Sequence, residues 1–151
     1  MGRRFRHRDT DWEVAATGTG HGAGFGEKPP PITSWGVLFT SISPAGKGPY
    51  FASVSKPDVN LLSESELRDS LDAAIARAVI KALEDPRFEW RTVDGVAQET
   101  GLPEDEILRI IEAVPDEVIR SRDPDQRGRA LYTTRRHYTQ KRNLLEWFRS
   151  T

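Results

Sequence analysis

The stretch from Thr92 to Ala113 constrains the fold of this chain more than any other. Thr92 can cap a short helix containing Val93, Val96 and Ala97, its hydroxyl accepting from an N–H of the first turn. Gly101 stands where that helix must stop with a left-handed backbone, which glycine adopts without steric cost. Leu102 then turns inward, and Pro103 is predicted to open a second helix at the position where a missing N–H is harmless. Ile107, Ile110 and Ile111 form the apolar face of that second helix.

The flanks supply partners for these two helices. Leu62-Ser63-Glu64-Ser65-Glu66-Leu67 reads as a helix start, with Ser63 and Glu66 spaced as a capping box and Leu62 and Leu67 as a staple. Behind it, Leu67, Leu71, Ile75, Ala78, Val79 and Leu83 make one stripe at three-to-four spacing, and Asp85-Pro86 ends the helix. Downstream, Glu117 to Ser121 and Ala130 to Thr134 read as strands joined by the turn Asp123-Pro124-Asp125-Gln126-Arg127-Gly128. His137 to Arg149 reads as a final helix, its apolar residues Tyr138, Leu144, Leu145, Trp147 and Phe148 lying opposite Lys141 and Arg142.

Residue by residue, Thr92–Ala113 resembles the helix-turn-helix pattern. Ala97 occupies the small position of the first helix, Gly101 the turn glycine four residues later, and Val96, Leu102, Ile107 and Ile110 the apolar core positions. The plain alternative is an ordinary helical hairpin. With a helix before and a hairpin after, residues 63–135 resemble the winged helix-turn-helix superfamily. The resemblance implies an α+β fold: a three-helix winged helix-turn-helix with a β-wing, extended by an N-terminal β-hairpin and a C-terminal helix. Similar units occur in bacterial transcription regulators and as appendages of signalling or defence proteins.

The rest of the chain divides around that unit. Residues 1–31 read as a flexible tail with a basic start, because Gly18, Gly20, Gly22, Gly24 and Gly26 alternate with small or polar residues before Pro29-Pro30-Pro31. Residues 32–60 read as a β-hairpin extension, with strands at Ser34–Ile42 and Tyr50–Val54, residues 61–135 as the winged helix domain, and 136–151 as the C-terminal helix. Two strands are marginal alone, so this hairpin is expected to pack on the helical part.

Charge separates two functional expectations. Residues 86–117 carry three basic against nine acidic residues, whereas 118–151 carry nine basic against three acidic ones. A DNA-reading helix needs donors for base edges at its start, and here that start is Glu104, Asp105 and Glu106. The first expectation is therefore a regulator that contacts nucleic acid through its basic wing and N-terminal arm. Its candidate residues are Arg120, Arg122, Arg127, Arg129, Arg135, Arg136, Lys141, Arg142, Arg3 and Arg4. The second is a protein-docking adaptor that uses Glu104, Asp105, Glu106 and Arg109. For the basic residues, the plain alternative is a solvated face paired with the acidic half of the same domain or a neighbouring copy. A homodimer through the C-terminal helix is a further partner the pattern allows.

Nothing in the chain spells catalysis. His7, His21 and His137 are scattered, there is no cysteine, and the tail glycines fall only at even positions, which excludes the dinucleotide fingerprint. Gly46-Lys47-Gly48 lacks the first glycine and the Ser or Thr of a phosphate loop. No cofactor or metal is expected. The absence of a membrane-length apolar run and of cysteine points to a cytoplasmic protein without membrane contact.

Overall fold

The computed structural model describes residues 2–21 and 34–150, whose contacts gather into two units, Met1–Ile75 and Ala76–Thr151. Among the described residues there are four α-helices and two antiparallel sheets, an α+β fold.

In the first unit, β1 (Arg3–His7), β2 (Thr10–His21), β3 (Ser34–Ser43) and β4 (Tyr50–Val54) form an antiparallel sheet in chain order. The expected tail is therefore strand as far as residue 21, while the glycine and proline run at 22–31 lies outside the described residues. The reason is a period-two pattern: Phe5, Trp12 and Val14 are buried while Arg4, Arg6 and Glu13 point away from the core. Arg8 and Asp9, at φ 50° and 57°, make the two-residue turn between β1 and β2. The register pairs Phe5 with Trp12, Val14 with Phe39 and Phe39 with Tyr50. Phe5 meets Phe39 edge-on at 6.0 Å between ring centroids. The expected β3–β4 hairpin is present, and β1 and β2 widen it to four strands.

After a 3-10 turn at Val59–Leu61 comes α1 (Glu64–Leu83). Its capping box closes: Glu66 N–H donates to Ser63 Oγ at 3.1 Å, and Ser63 N–H donates to Glu66 Oε1 at 3.4 Å. Within the first unit, α1 buries Leu67, Leu71 and Ile75 beside Val59 and Leu62. Asp72 on the same stretch sits 2.9 Å from His7 Nε2 and 3.4 Å from the Arg8 guanidinium.

The second unit takes the last two turns of α1, with Val79, Ala82 and Leu83 buried. It continues through β5 (Arg91–Thr92), α2 (Val93–Thr100), α3 (Glu104–Ala113), β6 (Val118–Arg120), β7 (Leu131–Thr134) and α4 (Arg135–Ser150). The three strands lie in the order β5-β7-β6, so the returning strand of the hairpin is central. Thr92 caps α2 by accepting from Gly95 N–H at 3.1 Å. Gly101 ends that helix at φ 75°, donating its N–H to the Ala97 carbonyl at 2.9 Å. Pro103 is the N-cap of α3 rather than its first helical residue.

Val96, Leu102, Ile107 and Ile111 are buried, each contributing about 1.5–3 kcal/mol, whereas Ile110 and Ala97 are half-buried. Val118, Thr133, Thr134 and His137 complete the core, and His137 Nε2 donates to the Phe88 carbonyl at 2.9 Å.

Candidate nucleic-acid interface

The β6–β7 hairpin presents its basic residues on a loop organised by one carboxylate. Asp125 accepts from the N–H groups of Arg127 at 2.9 Å and Arg129 at 2.8 Å, and from Arg129 Nε at 2.8 Å. These bonds, led by the Arg129 N–H, hold the Asp125 carboxyl below its ordinary value. Gly128 closes the turn at φ 78°. Arg129 also lies 3.7 Å from Asp94, so its guanidinium is tied to the module. Arg120, Arg122 and Arg127 are exposed and, among the described residues, form no ion pair.

Most of the other expected cations are engaged. Arg136 grips Glu84 with two bonds, Nε–Oε2 at 2.9 Å and Nη2–Oε1 at 2.5 Å, while Thr134 Oγ1 donates to the same carboxylate at 2.9 Å. The Arg136 bonds lead the causes that hold Glu84 below the usual glutamate range. Arg135 Nε donates to the Asp116 carbonyl at 3.1 Å. Both arginines line an open cleft of about 460 Å³ that also holds Glu84, Asp116 and Glu117. Arg142 pairs with Glu146 one turn along α4 at 3.2 Å, and Lys141 is half-buried with no ion pair among the described residues.

The N-terminal arginines form no arm. Arg3 belongs to β1 and donates to the carbonyls of Val59, at 3.1 Å, and Leu62. Arg4 lies across the strand pair from Glu13, 3.6 Å away. Both stand in the first unit as elements of its sheet, where a flexible tail was expected.

On α3, Glu104 and Asp105 are exposed at the helix start, and Glu106 is half-buried 3.7 Å from Arg109. The outward face is completed by Leu108 and Glu112. Arg109 is its one cation.

The residue that sequence reading passed over is Arg91. Its side chain is 9% exposed, reaching Glu99 at 2.7 Å and the carbonyls of Ala82 at 3.0 Å and Gly95 at 3.2 Å. Its guanidinium lies 4.5 Å from the Phe88 ring centroid. A lone arginine before a capping threonine carries no signal for this. The two-residue strand that holds it is too short for an alternation to show.

Among the described residues, no three of His, Asp or Glu converge to hold a metal ion, and no helix is long and apolar enough to cross a membrane. Comparisons with protein-family models, curated proteins and solved structures return no match to this chain.

Proposed function

We propose that this chain is a non-catalytic winged helix protein that contacts a nucleic-acid backbone through its β6–β7 wing. The order α1, β5, α2, α3, β6, β7, with β7 central, supports the winged helix reading. One observation carries the function: Arg120, Arg122 and Arg127 stand exposed and without carboxylates on one hairpin, in a unit that engages most of its other arginines. Such guanidiniums displace counterions from phosphates without reading sequence. The α3 face, with Glu104, Asp105 and Glu112 outward, repels phosphate, so α3 is not the groove reader.

The test is binding to random duplex DNA, followed by fluorescence anisotropy across a salt series. Three phosphate contacts give a log–log slope of roughly −2 to −3. The triple variant Arg120→Gln, Arg122→Gln, Arg127→Gln is expected to lose binding at least tenfold. Unchanged affinity in that variant, or affinity indifferent to salt, overturns the reading.

A second reading has its own support. The outward face of α3 combines carboxylates with an exposed leucine, Leu108, which suits a basic protein surface. A partner captured by the wild type and lost on Glu104→Lys with Glu112→Lys, but not on the wing triple variant, would favour it.

A further inference from the structure

We propose that the outward face of α3 receives α4 of a second copy of this chain; this rests on the second reading above and names the partner for it. The two helices carry matching stripes of opposite charge. On α3, Glu104, Leu108 and Glu112 follow one another at one-turn spacing; on α4, Lys141, Leu145 and Arg149 do the same. In each stripe the outer charges are about 12 Å apart along the axis, with a leucine midway. Leu108 is 37% exposed and Leu145 55%. None of the four charges is in an ion pair among the described residues. Beside the stripes, Arg109 is already paired with Glu106 and Arg142 with Glu146, while the exposed Asp105 adds to the negative charge of the α3 face.

The apolar surroundings favour burial of the α4 stripe. Leu144, Leu145, Trp147 and Phe148 are each more than half exposed. Together they present on the order of 400 Å² of apolar surface, the size at which such patches mark interaction sites. They centre on the helical face that, about two to three turns earlier, carries the buried His137. A symmetric pairing of two α4 helices would instead oppose the unpaired Lys141 and Arg149 of each copy, since Arg136 and Arg142 already hold Glu84 and Glu146. The α3 face of another copy removes that repulsion. It also accounts for an acidic α3 in a module whose wing is basic: the helix is occupied by protein, and the wing stays outward.

The full chain is examined by size-exclusion chromatography with light scattering, up to about 100 µM, where a contact of this size without strong anchors is populated. The expected mass rises above 17.0 kDa toward its multiples with concentration. Glu104→Lys with Glu112→Lys, and separately Lys141→Glu with Arg149→Glu, should each give a monomer. An equal mixture of the two variants should associate again, because both α3–α4 contacts in the mixture regain opposite charges. Circular dichroism melts check that each variant folds, and Leu145→Ser, at an exposed site, should also give a monomer. A wild type that stays monomeric, a mixture that fails to recover, or charge variants that associate unchanged would each overturn the proposal. A monomeric wild type whose partner capture is still lost in the Glu104→Lys, Glu112→Lys variant would overturn self-association alone and leave α3 as a docking face.

Discussion

Arg91 shows how one side chain organises a stretch of chain that has little regular structure. Its planar fork reaches two carbonyls and a carboxylate while its face covers Phe88, whose own carbonyl accepts from His137. The segment between α1 and α2 is thus tied to both α1 and α4 through one guanidinium and one imidazole. Arg91→Met keeps the apolar stem but leaves the Ala82 and Gly95 carbonyls short of a donor and Glu99 without its closest cation. The expected loss is about 2–3 kcal/mol in urea unfolding. Arg91→Lys should recover little of it, because an ammonium cannot present the same planar set of donors. A loss below about 0.5 kcal/mol, the level of an ordinary surface change, would show that these contacts are incidental.

At the scale of elements, what was legible followed from how strictly side-chain chemistry dictates backbone. The Ser63–Glu66 box, the Thr92 cap and Gly101 each satisfy or end a helix by a local rule, and all three are found in place. The β1–β2 hairpin was not legible, because its turn carries Arg8 and Asp9 where a two-residue turn usually carries glycine or asparagine. The alternation of Phe5, Trp12 and Val14 was present, but the arginines between them and the glycines behind suggested a tail. Among the site residues, exposure on the wing could be anticipated. The pairing of Arg135 and Arg136 could not, since their partners, the Asp116 carbonyl and Glu84, are remote in sequence, and neither could the longer reach of Arg129 past Asp125 to Asp94. The same turn makes a prediction. Asp9 holds φ 57°, which costs an L residue energy that glycine does not incur. Asp9→Gly should stabilise the chain by about 0.5–1 kcal/mol, net of the glycine's extra unfolded entropy, as a raised urea midpoint. The long 3.9 Å ion pair it removes, Arg6 to Asp9, is exposed and counts for little. A lowered midpoint would mean that the aspartate side chain itself holds the turn.

For the molecule as a whole, the acidic and basic halves of the second unit are not two independent surfaces. Part of the basic surplus is consumed by carboxylates of the same unit, and those pairs set its acid sensitivity. The Arg87 side chain, through its hydrogen bonds, is the main cause that pulls Asp85 from 3.8 to about 2. Glu84 and Asp125 are lowered too, from ordinary values of 4.5 and 3.8. A carboxyl depressed on folding stabilises fully above its unfolded value, and that contribution is lost as pH falls through the folded one. The urea midpoint should therefore be level from about pH 7 to pH 5 as far as these carboxylates set it, and decline from about pH 4.5 toward pH 2. Glu84→Gln should lower the neutral plateau and shallow the decline, since its contribution is already gone. Binding to duplex through the wing should not follow this curve between about pH 5 and 8, because arginine stays charged throughout. A midpoint flat down to about pH 2.5 would show that the pairs are too solvated to couple to folding. Duplex affinity that moved with pH between about 5 and 8 would place the contact on a group other than Arg120, Arg122 and Arg127.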